Sequence, residues 1–114
     1  MDLQAWSEAL KVLADPTRVR LLALVEREEL TVAELATVTH LAQPRVSTHL
    51  AKLREAALVV DRRAGVSAYY RFNDALEPAE AALWRTLRDG ADDPLLRQDA
   101  ERLPHVLAAR ASDQ

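Results

Sequence analysis

The chain has no cysteine among its 114 residues. That excludes disulfides, thiolate metal sites and sensing through thiol oxidation. Glycine is nearly as scarce, with only Gly65 and Gly90. No glycine-rich loop is therefore available to cradle a nucleotide phosphate, and no catalytic domain is expected. No apolar run approaches the ~20 residues of a membrane-spanning helix, and no secretory leader is recognisable, so a cytoplasmic protein without membrane contact is expected. Net positive charge is missing as well, because 15 basic side chains face 18 acidic ones, leaving −3. With 49% of its residues apolar, the chain has enough for one domain with a modest core.

The deficit of positive charge is unevenly spread. Residues 43–71 hold six basic side chains against two acidic, a local balance of +4. Residues 1–42 hold four against seven, and residues 72–114 five against nine, giving −3 and −4. Screening limits the reach of a charge to about 8–10 Å, so the local balance decides attraction to a polyanion.

Within that basic region lies Gln43 to Leu58, QPRVSTHLAKLREAAL. Val46, Leu50, Leu53 and Ala57 recur at helical spacing and define a face to be buried. Arg45, Ser47, Thr48, Ala51 and Lys52 occupy the other face, with His49 at its edge. Pro44 fits a first helical turn, where its missing N–H costs nothing. From Gln43 to Arg54 there is no carboxylate. Upstream, Thr31 stands three residues before Glu34, the spacing of a capping box, and opens a short helix. A turn through Thr39, His40, Leu41 and Ala42 joins the two. A short helix, a tight turn and a longer polar-faced helix make a helix-turn-helix, whose second helix can enter a DNA major groove.

Two β-prone runs follow, Leu58 to Arg63 and Val66 to Phe72, around Gly65. They predict a hairpin with Ala68, Tyr70 and Phe72 on one face and Ser67, Tyr69 and Arg71 on the other. Helix-turn-helix plus basic hairpin is a winged helix. Before it, Leu3, Trp6, Leu10 and Leu13 stripe a helix over residues 2–14, and Asp15-Pro16 opens a second. After it, Asn73 or Asp74 is expected to cap a helix from Ala75 to about Asp89. A last helix through Leu96, Ala100, Leu103 and Leu107 should kink or break at Pro104, and residues 108–114 should fray. The expected organisation is a winged-helix and dimerisation domain over residues 1–90 and a helical tail over 91–114.

These residues also resemble a known family. Ala14-Asp15-Pro16-Thr17-Arg18-Val19-Arg20-Leu21-Leu22 looks like the opening signature of ArsR/SmtB-type bacterial regulators. Gln43 to Val59 is similar to that family's recognition helix, and Gly65 with Tyr69-Tyr70-Arg71-Phe72 to its wing. The likeness covers roughly residues 5 to 90. It implies a mainly α, two-fold symmetric dimer with a small β-hairpin, built through the first and fifth helices, with Leu3, Trp6, Leu10, Leu83 and Leu87 at the interface. Ala57 departs from the pattern, since the family usually has Gly where a helix end needs a left-handed residue. The resemblance would also imply a cysteine-bearing metal site on the third helix, but the matching stretch, Glu29 to Leu35, has none. Nor is there a histidine between Asp74 and Asp89 for the family's other site. His40, His49 and His105 are scattered, so no metal site and no cofactor are expected.

No serine stands in a nucleophile motif, and no enzyme is expected. The expected function is sequence-specific regulation of transcription by a homodimer on double-stranded DNA. Gln43, Arg45, Ser47, Thr48 and His49 are the candidate base readers. Lys52, Arg62, Arg63 and Arg71 are the candidate phosphate contacts. Control would come from a small-molecule effector or a regulatory partner protein. The competing expectation is a protein-interaction module that works through its acidic helices.

Overall fold

The computed structural model describes residues 1–112. Two helices, α1 (Leu3–Leu13) and α2 (Pro16–Arg27), lead into a two-residue strand, β1 (Leu30–Thr31), and then into α3 (Val32–Thr39) and α4 (Gln43–Glu55). The hairpin follows as β2 (Val59–Ala64) and β3 (Ser67–Phe72), and the chain closes with α5 (Pro78–Gly90) and α6 (Pro94–Ser112). The first two starts obey local chemistry. Asp2 accepts from Ala5 N at 2.8 Å, and Asp15 accepts from Thr17 N and Arg18 N ahead of Pro16. The capping box of α3 is complete: Glu34 N donates to Thr31 Oγ1 at 3.2 Å and Thr31 N to Glu34 Oε1 at 2.9 Å.

The hairpin forms around Gly65, which takes φ +64. It is joined by a third strand that the sequence did not show. β1 pairs antiparallel with β3, Leu30 opposite Tyr70 and Thr31 opposite Tyr69, giving the sheet order β1-β3-β2. Two residues are too few to display an alternation. Tyr70 and Phe72 face the core as the alternation required.

The core gathers Leu21, Leu22, Leu24 and Val25 of α2, Leu35 and Val38 of α3, Val46, Leu50 and Leu53 of α4, and Leu58 and Val59 beyond it. Ala57 is not part of it. α4 ends at Glu55, and Ala57 is exposed in a left-handed turn at φ 58.

The end of the chain differs most from expectation. Asn73 does turn the backbone, its Oδ1 accepting from Ala75 N at 3.0 Å, but α5 starts only at Pro78. Proline holds the residue before it out of the helical region, and Glu77 sits at ψ 142. Trp84 anchors this helix, 1% exposed, with its ring 6.4 Å from that of Phe72. Pro104 does not break α6, which runs unbroken through it. Proline removes one helical donor, and the buried Leu103 with the packed Val106 and Leu107 holds the helix against α2 and α3. Residues 108–112 are helical rather than frayed, and 113–114 lie outside the described residues.

Candidate nucleic-acid interface

Val46, Leu50 and Leu53 are all but fully buried, which fixes the roll of α4 about its axis. The same roll turns Gln43, Arg45, Ser47, Thr48 and Lys52 outward, all exposed. Arg45, Thr48 and Lys52 follow one another at spacings of three and four and form one stripe. The Arg45 guanidinium reaches Thr17 Oγ1 at 3.3 Å, a single neutral contact that leaves its other donors open. The Thr48 hydroxyl donates to Pro44 O at 2.9 Å and keeps its acceptor capacity.

Both helices of the helix-turn-helix end on left-handed residues. His40, at φ 59, ends α3, and Leu41 N returns to Ala36 O at 3.3 Å. Ala57 ends α4 with Ala57 N on Arg54 O at 2.9 Å and Leu58 N on Leu53 O at 3.0 Å, the paired bonds of a Schellman motif. Asn73 then ties the end of the wing to this turn, Nδ2 donating to Ala57 O at 2.7 Å and Asn73 N to Leu58 O at 3.0 Å. α4 and the hairpin are thereby set at a fixed mutual position.

His49 lies differently from its neighbours on α4. It is half-buried, with Nδ1 3.4 Å from Arg18 Nη1. Arg18 also donates to Val12 O at 2.6 Å and Lys11 O at 3.1 Å, capping the last carbonyls of α1. A chain of contacts thus runs from the end of α1 to α4.

The wing arginines divide into free and engaged. Arg63 is exposed and has no hydrogen-bond or ion-pair partner among the described residues. Arg62 is held by Glu29 in a forked pair, Nε at 2.9 Å from both carboxylate oxygens and Nη2 at 2.6 Å from Oε1, with its guanidinium 4.8 Å from the centre of the Tyr69 ring. The Arg62 hydrogen bond holds the Glu29 carboxyl below the usual carboxylate range. Arg71 is 3.8 Å from Asp74.

At the proposed dimer face, Leu3 is 87% and Leu10 52% exposed, while Leu13 has turned into the core. Trp6, Leu83 and Leu87 are half-buried, the last two packed against the protomer's own core. Among the described residues no helix is long and apolar enough to cross a membrane, and no three His, Asp or Glu side chains gather where they could hold a metal.

Residues 15–60, which carry α2, the helix-turn-helix and the start of the wing, match the family described as bacterial regulatory protein, arsR family. The chain is 44% identical over 97 residues to the arsenic resistance transcriptional regulator ArsR1 of Pseudomonas putida, an alignment covering 84% of this chain and 75% of that one. The chain belongs to the ArsR family. It is also 44% identical over 73 residues to the arsenical resistance operon repressor of Escherichia coli, covering 63% of this chain and 62% of that relative. Among solved ArsR-like structures, a homodimeric winged helix-turn-helix DNA-binding domain from Mycobacterium bovis superposes with a TM-score of 0.67 at 30% identity, covering 82% of this chain and 83% of that one. As an ArsR-family member the protein is a DNA-binding transcriptional regulator with a winged helix-turn-helix fold.

Three features of the site were not visible in the sequence. The Arg18–His49 contact, the Glu29–Arg62 fork and the buried Arg20–Asp99 pair join positions 31, 33 and 79 residues apart. No local periodicity reports contacts at such distances.

Proposed function

We propose that the protein is a homodimeric repressor that recognises an imperfect inverted repeat in promoter DNA with one copy of α4 per half-site. The observation that carries this is the outward stripe of Gln43, Arg45, Ser47, Thr48 and Lys52 on a helix whose opposite face is locked into the core. A helix so placed can enter the major groove, and Arg and Gln can pair with base edges there. Lys52 and Arg63 are the phosphate contacts that the fold leaves available. Arg62 and Arg71 join them only when released from Glu29 and Asp74. His49 serves better as a strut between α4 and Arg18 than as a base reader. Leu3, Trp6 and Leu10 of α1 and Leu83 and Leu87 of α5 form the dimer contact. Repression is the reading favoured by the operon repressor among the relatives. Direct sensing of a soft metal or metalloid through thiolates is not proposed, because the chain has no cysteine. Control falls instead to a small-molecule effector or a partner protein.

The test is fluorescence anisotropy of a labelled duplex from the protein's own promoter region, with a scrambled duplex as reference, at about 150 mM salt. Specific recognition predicts binding to the promoter duplex at least about a thousandfold tighter. Equal, weak binding to both would overturn it.

A further inference from the structure

Glu29 stands between the end of α2 and β1, and three arginines converge on it from separate elements. Arg62 of β2 grips its carboxylate with the fork described above. Arg110 of α6 donates to its backbone oxygen at 2.9 Å while pairing with Glu34 at 2.6 and 2.7 Å. Arg71 of β3 lies within electrostatic reach. Tyr69 is shared, its ring centre 4.8 Å from the Arg62 guanidinium and 5.5 Å from that of Arg110. The geometry of the fork is the one arginine adopts on carboxylates and phosphates alike.

A stability role does not account well for the fork. The Arg62 side chain is 56% exposed, and solvent screening holds even a forked pair in such a position to a small contribution. Arg110, Glu34 and Thr31 already tie α6 to the capping box of α3 without help from Arg62. What the fork does change is the charge the wing can offer. In the basic stretch over residues 43–71 it takes one of six cations out of circulation.

We propose that Glu29 is a specificity-determining residue: its carboxylate occupies Arg62 as a DNA phosphate would, and so withholds the base of the wing from sequence-independent contact. This rests on the DNA-binding reading above. The partner it works against is any duplex backbone, and its consequence is that discrimination depends on the α4 stripe. Sequence-independent affinity comes almost wholly from phosphate contacts, so a regulator gains selectivity when one such contact is silenced.

The test uses a random-sequence duplex, for which no operator need be known. Binding of the full chain is measured by anisotropy between about 50 and about 200 mM salt, where each phosphate contact steepens the fall in affinity about threefold. Glu29→Gln frees one arginine per protomer. The dimer should then bind the random duplex more tightly at the low-salt end, with a fall about tenfold steeper than the parent's. Glu29→Asp, which keeps the charge, should stay near the parent. Adding Arg62→Ala to Glu29→Gln should abolish the extra steepness. A damaged fold would weaken binding and could not produce this gain.

A wild-type measurement serves as well, should Glu29→Gln fail to fold. The NMR signal of the Arg62 Nε–H should stay in place when random duplex saturates the protein. An unchanged salt dependence in Glu29→Gln, or an Arg62 signal that moves on random DNA, overturns the proposal. If the parent itself shows no salt-dependent binding to any duplex, the DNA-binding reading falls and the proposal falls with it.

Discussion

Arg20 and Asp99, one on α2 and the other on α6, form a forked pair in the interior, with Nε on Oδ2 and Nη2 on Oδ1, both at 2.8 Å. Arg20 is 8% and Asp99 2% exposed. The same Nη2 donates to Thr39 O at 2.9 Å, at the end of α3 where the turn into α4 begins. The Asp99 hydrogen bond raises the Arg20 guanidinium above its already high value, so the charge is permanent. One arginine therefore couples the last helix to the turn of the helix-turn-helix.

Removing one partner of such a pair strands a buried charge. Asp99→Ala should destabilise the protein by about 3–5 kcal/mol. Urea unfolding followed by circular dichroism measures this. A loss below about 1 kcal/mol would mean that α6 is not held through this contact.

Ala57 sets a second expectation, in the opposite direction. Its φ of 58 is a conformation glycine adopts freely and alanine does not. The side chain is exposed and makes no packing contribution to the core. Ala57→Gly should stabilise the protein by about 1 kcal/mol, read as a raised urea midpoint. A lowered midpoint would show that the turn is not strained.

Helical spacing alone puts Ala57 on the buried face of α4, and only the family resemblance marks it as the left-handed helix end that it is, exposed at φ 58. The capping box at Thr31 and Glu34, the Asp15-Pro16 start and the Gly65 turn are legible in the sequence because each is contained in a few consecutive residues. The start of α5 was misplaced because two capping signals competed: Asn73 makes its turn, but Pro78 decides where the helix begins. The break expected at Pro104 does not occur, because packing against α2 and α3 outweighs one lost helical bond. The outward stripe of α4 could be named in advance, but not the engagement of Arg62, since Glu29 meets it only after β1 has paired with β3.

Leu10 offers a clean probe of the dimer. Being 52% exposed, it can be changed with little harm to the protomer, unlike the half-buried Leu83 and Leu87. Leu10→Glu should shift the protein to monomer in sedimentation velocity while leaving the helical signal intact. A variant still dimeric at the parent's concentration would move the interface away from α1.

Acid should loosen the contact between α3 and α6. Burial alone would raise the Glu34 carboxyl, but the Arg110 hydrogen bonds and Thr31 outweigh it and hold it below the ordinary 4.5. A depressed carboxyl contributes stability that is present above its unfolded pKa and lost as pH falls through the folded one. Glu34→Gln keeps the capping-box hydrogen bond but not the charge. Its unfolding midpoint should therefore lie below the parent's at pH about 7, and the two should converge as pH falls from 4.5 through the depressed Glu34 pKa. A gap that stays constant with pH would contradict this assignment.

In the proposed function, two copies of α4, related by a two-fold axis, read DNA sequence through the Arg45 stripe. Selection of bound duplexes from a random pool, run in parallel on the parent and on Arg45→Ala, tests it most directly. The parent should return an inverted repeat with half-site centres about 10–10.5 base pairs apart. Arg45→Ala should lose about 1–3 kcal/mol on that site and relax the preference at one position in each half. A pool that stays random, or a preferred site without two-fold symmetry, would contradict the account.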